Sequence, residues 1–202
     1  MTPFEIIPLF PQALYKSKFR PIAPSERATI EQYPVTKQQL GNSTSNAPYF
    51  LDETGLENLK ASLDEHILAY AREVMKFDSE LYITNSWKNL TASGEQHIIH
   101  NHTNSVVSGV LYLDVSSSQP SISFNRMTSP YLLNYLPTEF NLFNSIEWNI
   151  PVEDNTIIIF PSSCYHYVKP NTSNADRLTI AFNTFARGHL RTQYTGADLI
   201  LK

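Results

Sequence analysis

The chain has 202 residues, enough for one sizeable core. Its 42% hydrophobic and 17% charged residues are the balance of a folded globular protein, not a disordered one. A net charge of −4 with no basic block gives no sign of a nucleic-acid partner. The single cysteine, Cys164, excludes an intrachain disulfide framework, and no run approaches the 18 apolar residues of a membrane-spanning helix. The first residues carry prolines within their apolar part and lack a charged n-region, so they do not read as a signal peptide, and a reducing, cytoplasmic setting is expected.

Taken in order, residues 1–50 are irregular in pattern, with Phe4 to Phe10 as a candidate edge strand interrupted by Pro8, and residues 38–48 as loop. Thr54-Gly-Leu-Glu57 fits a capping box. Leu56, Leu59, Leu63, Ile67, Tyr70 or Ala71, and Val74 then recur at helical spacing. The pattern predicts an amphipathic helix over 54–77 that backs a sheet, with His66 at its surface. From residue 81 the period changes to two. Strands are expected near 81–84, 96–102, 105–115, 121–124, 145–150, 156–160, 165–168 and 177–185, within a core spanning 81–186 and followed by a tail, 187–202. The connection over 125–144 is long enough to suggest a lid or binding segment. Many short strands behind one helix predict a single, mainly β domain, a double-sheet jelly roll with helical support.

Three of the six histidines fall within His97-Ile-Ile-His100-Asn-His102, and a fourth, His166, follows the apolar run Ile157 to Phe160. Side chains two apart on an extended segment share a face, so His100 and His102 point together, and neutral imidazole is a common metal ligand. With His166 they would cover one side of an ion and leave the other open. His97, three residues from His100, is expected to face the opposite way. Alternation also puts Arg177, Thr179, Ala181 and Asn183 on a polar face of the last long strand, with Leu178, Ile180 and Phe182 on a core face. Ser108, Val110 and Tyr112 share a face of another strand. Arg177 offers a bidentate grip on a carboxylate, or, read blandly, a salt bridge to Asp176 or Asp154.

His-x-His, Ser-Gly-Val-Leu-Tyr-Leu, Phe-Pro-Ser-x-x-x-His-x-Val-x-Pro-Asn and Arg-x-Thr-x-x-Phe-Asn, with Ser86-Trp87 and Gly41-Asn-Ser43, together resemble the 2-oxoglutarate and Fe(II)-dependent oxygenase superfamily. The closer likeness is to a branch carried by phages and bacteria and related in fold to prolyl 4-hydroxylases. The resemblance covers about residues 40–186. It implies a double-stranded β-helix, cupin-like, with Fe(II) held by His100, His102 and His166 in its mouth. It also implies 2-oxoglutarate held by Arg177, with Thr179 and Tyr112 assisting. The implied reaction is hydroxylation of a small molecule or protein side chain, with 2-oxoglutarate decarboxylated to succinate. The departure from the superfamily is His102, where the pattern has a carboxylate. Three rivals remain beside it: a cupin-type three-histidine enzyme without 2-oxoglutarate, a non-catalytic binding protein on the same fold, and a thiol enzyme pairing Cys164 with His166.

Overall fold

The computed structural model describes residues 3–39, 41–116, 119–129, 131–133, 135–190 and 196–201. Two antiparallel sheets face one another. The larger contains β1 (Tyr15–Lys18), β2 (Val35–Lys37), β3 (Ser43–Ser45), β4 (Glu80–Thr91), β6 (Val107–Asp114), β9 (Thr156–Pro161) and β11 (Arg177–Leu190) in the order β1-β9-β6-β11-β4-β3-β2. To this β12 (Leu199–Leu201) is added along β11. The smaller has β5 (His97–His100), β10 (Tyr165–Val168), β7 (Ile122–Asn125) and β8 (Glu147–Ile150) in the order β5-β10-β7-β8. This is the double-stranded β-helix, or jelly roll.

The larger sheet is buried on both faces, which explains the unbroken apolar run of β9. Ile157 and Ile159 join one core, and Ile158 and Phe160 join the other. The first core lies under the helix α2 (Glu57–Tyr70), whose Leu59, Leu63, Ile67 and Tyr70 meet Leu111, Ile180 and Phe182. The second, with Tyr112, Ile122 and Val168, lies between the sheets. Gly109 is dictated by this packing, because a Cβ there would come within 2.2 Å of the Phe182 ring. Among the described residues no helix is long and apolar enough to cross a membrane.

Five expectations need correction. First, residues 1–50 hold more structure than their pattern suggests. Beyond β1, β2 and β3 they contain a helix, α1 (Pro24–Gln32), with Pro24 in its first turn. Glu26 accepts from Ala23 N at 2.9 Å and is clamped by two bonds from Arg20. Second, the first strand begins at Tyr15; Phe4 to Phe10 stay exposed and unpaired by any strand, consistent with Pro3, Pro8 and Pro11, which lack the N–H a ladder needs. Third, the long helix starts at Glu57, not Thr54. Gly55 takes a left-handed φ of 94°, and Glu57 reaches back to Gly55 N at 3.0 Å rather than to Thr54. It passes into a π turn over Ala71–Met75, whose wider winding carries Val74 off the apolar stripe to 42% exposure. Fourth, β11 runs on through residues assigned to the tail and pairs with β12 at Gly188–Leu190. His66 is half-buried, not superficial: its Nδ1 lies 2.7 Å from the Tyr15 hydroxyl.

Candidate metal centre

The smaller sheet carries the site on β5 and β10, where His100 pairs with His166. The His100 and His166 rings lie 4.3 Å apart between centroids, and His102 is 5.0 Å from His100 and 5.1 Å from His166. One ring nitrogen from each of the three lies within 4.8 Å of the others. His102 comes just after β5, on a connection pinned by its own N–H to Ser162 O at 3.0 Å. That connection is anchored by a buried hydroxyl relay: Ser105 and Ser108 each meet Ser162, at 2.7 and 2.8 Å, and Ser108 donates to Asn183 at 2.6 Å. Asn183, on the predicted polar row, is therefore occupied in holding the histidine-bearing segment.

Backbone carbonyls set the tautomers. The Nδ1 atoms of His100 and His166 face Ile98 O at 2.8 Å and Cys164 O at 3.0 Å. A carbonyl only accepts, so each Nδ1 carries the hydrogen and each Nε2 keeps a free lone pair. Burial, reinforced by His100, pushes His102 down to about 4 and His166 down to about 3, so both are neutral at physiological pH. Three converging imidazoles, two of them oriented by carbonyls, suit a borderline divalent ion, and these residues fit Fe(II).

His97 overturns its expectation. Its ring lies 4.6 Å from that of His100 and lines the same chamber. The reason is a β-bulge. From His166 to Val168 β10 advances two residues, whereas its partner β5 goes from His100 to His97, three residues. The extra residue on β5 breaks the alternation and brings His97 back to the inner side. Burial, with His100 and then Arg177 adding smaller effects, pushes His97 down to about 4.

Arg177 opens β11 and lies at the far end of the chamber, 3% exposed. Its guanidinium donates to Pro120 O at 3.1 Å, and among the described residues it makes no ion pair. Asp154, one carboxylate considered for it, accepts from Val115 N instead. Thr179 pairs in register with Tyr112, so the two stand side by side next to Arg177 in the chamber wall. Burial raises the Tyr112 hydroxyl to about 12, which keeps its proton available for donation. The chamber also takes Asn42, Trp87, Asn89 and Thr91, to which sequence reading assigned no role. The last three alternate along β4, a period-two signal that was open to reading, and Asn42 is tied to Asn89 at 3.1 Å.

Two further expectations fail here. Cys164 directs its carbonyl, not its thiol, at His166, and burial lifts the thiol to about 11, so the thiol reading lacks an ionised nucleophile. The described residues of the 125–144 connection line neither this chamber nor the groove beside it. Tyr131, Leu142 and Phe143 border a separate apolar trough with residues 7–14.

Residues 85–183, which hold the three histidines and Arg177, match the model of the family described as "Putative 2OG-Fe(II) oxygenase". Over that stretch, just under half of its length, the chain is similar to the 2OG-Fe(II) oxygenases. Solved structures share the fold at low identity. HygX from Streptomyces hygroscopicus, with nickel, 2-oxoglutarate and hygromycin B bound, has a TM-score of 0.62 at 13% identity, over 86% of this chain and 82% of that one. A Pseudomonas putida prolyl-4-hydroxylase gives 0.58 at 14%, over 88% and 94%. An oxidoreductase of the 2OG-Fe(II) oxygenase family from Burkholderia pseudomallei gives 0.59 at 12%, over 78% and 74%. No curated protein matches this chain.

Proposed function

We propose that this chain is an Fe(II)- and 2-oxoglutarate-dependent hydroxylase. The reading rests on one observation: a triad of converging histidines shares a chamber with a buried arginine that has no acidic partner among the described residues. When bound, iron with 2-oxoglutarate supplies the oxidising chemistry, dioxygen cleavage coupled to decarboxylation to succinate and oxygen insertion into a substrate C–H bond.

The chain's own residues bind, orient and exclude. His100, His102 and His166 would hold the metal from one side, with the Nε2 lone pairs of His100 and His166 aimed by the carbonyls at their Nδ1 atoms. The Arg177 fork grips the distal carboxylate of 2-oxoglutarate, with the Tyr112 and Thr179 hydroxyls beside it. Ile122, Val110 and Val168 give the chamber an apolar wall that keeps bulk water from the reacting atoms. A histidine in place of a carboxylate leaves the metal centre one unit more positive, which strengthens its hold on an anionic cosubstrate.

The test is titration of 2-oxoglutarate into Fe(II)-loaded protein under argon. A weak visible charge-transfer band is expected, followed on admission of air by slow conversion of 2-oxoglutarate to succinate. A metal-loaded protein that gives no band and no succinate favours a three-histidine enzyme of the cupin type, in which Arg177 is structural.

A further inference from the structure

A groove of about 540 Å³ opens beside the histidine chamber, a volume within the range of small-molecule sites. The two cavities are continuous in their walls, because Asn42, Trp87 and His97 line both. The Trp87 ring is 5.7 Å from that of His102, so a molecule resting on the indole has its C–H groups next to the triad. It is the bulge in β5 that brings His97 into this shared wall.

The lining combines neutral polar groups with the apolar surfaces of Trp87, Pro48 and Ile98. Four carboxamides, from Gln38, Gln39, Asn42 and Asn46, and the hydroxyls of Thr44 and Ser45 surround the indole. A carboxamide both donates and accepts, as does an alcohol, so adjacent hydroxyls on one ring find matched partners here. The indole offers a flat apolar surface for the C–H face of such a ring. Apart from the His97 imidazole, none of the lining side chains ionises. Lys37, which reaches Gly41 at the groove's edge, is already paired with Glu95. A phosphate or carboxylate would therefore leave water without a counter-charge to meet it.

We propose that this groove is the substrate site and takes a neutral, multiply hydroxylated molecule of the saccharide class. The proposal rests on the oxygenase reading above and adds the substrate class to it. The chain has two tryptophans, and the other, Trp148, lies on β8 at the separate trough. In Trp148→Phe the emission of Trp87 alone reports on the groove.

The experiment titrates that variant, with Fe(II) and 2-oxoglutarate present under argon, against glucose, galactose, maltose, sucrose and trehalose. Glucose 6-phosphate and a proline-rich peptide serve as contrasts. A saturable change in Trp87 emission with at least one neutral saccharide is expected. Its affinity should fall at least tenfold when the exposed Gln39 and Asn46 are both replaced by alanine, and glucose 6-phosphate should bind at least tenfold more weakly. Saturation by the phosphate or the peptide alone overturns the proposal, as does no saturation by any neutral saccharide. The visible band of the metal and 2-oxoglutarate is followed in the same cuvette. If it forms without a saccharide response, the substrate class is wrong and the oxygenase reading stands; if it does not form, the oxygenase reading fails first.

Discussion

Two buried cations lie on opposite faces of the larger sheet, and they are treated differently. Lys88, 4% exposed on the helix side, donates to three carbonyls at the end of α1: Ile30 at 2.7 Å, Glu31 at 3.2 Å and Tyr33 at 2.8 Å. Its three ammonium hydrogens match three acceptors, and it closes a helix terminus whose carbonyls would otherwise be orphaned. Arg177, 3% exposed between the sheets, has five donors, and among the described residues a single carbonyl meets them. A fold that satisfies one buried cation and leaves another open reserves the second for something that arrives later. That contrast separates a structural charge from a binding charge better than burial does.

The comparison can be broken in several ways, the largest of them collective. The inner side carries three histidines held below their ordinary range, His97 and His102 at about 4 and His166 at about 3, first by burial and then by His100. Their folded values lie below the unfolded value of about 6.5, so the unfolded chain binds more protons in between. Stability of the metal-free protein should be complete above pH 6.5 and be lost as pH falls toward 4. Melting temperatures measured across that window in the presence of a chelator check it, and a flat profile contradicts it.

Phe182→Ala, on the helix side, should cost about 3–5 kcal/mol in denaturant unfolding, because the ring is fully buried over Gly109. Arg177→Lys should leave the melting temperature nearly unchanged but weaken 2-oxoglutarate binding by about 2–5 kcal/mol, read from the visible band. Equal affinity in variant and parent removes Arg177 from the site. Lys88→Met should do the reverse. It should lower stability by about 1–3 kcal/mol through unpaired carbonyls, while 2-oxoglutarate affinity stays within twofold of the parent. If the two substitutions prove interchangeable, the distinction between the cations is void.

Much of this was legible where side chains obey strict alternation. β11 separates Arg177 and Thr179 from Leu178, Ile180 and Phe182, as its period-two pattern says, and the His100, His102 and His166 convergence follows from the same rule. Legibility failed where a segment depends on a distant partner. α1 buries only Glu26 and Ile30, and the carboxylate is acceptable there because Arg20 meets it, so the sequence offered no apolar stripe to read. It failed again at β5, where one additional residue reverses the parity on which the reading of His97 rested. No local composition announces such an insertion; the mismatch exists only once β10 lies alongside.

The bulge makes the length of the chamber wall adjustable at one point. His97 is on the inner side because of a single unmatched residue, and Ile98 and Ile99 between the histidines are 48% and 43% exposed, so their side chains carry little packing. A one-residue deletion between His97 and His100 would remove the bulge, and plain alternation over the resulting two-residue spacing would keep both imidazoles on the inner side. The inner wall is therefore indifferent to the length of β5 at this one point: a chain with the extra residue and a chain without it present the same four imidazoles to the chamber.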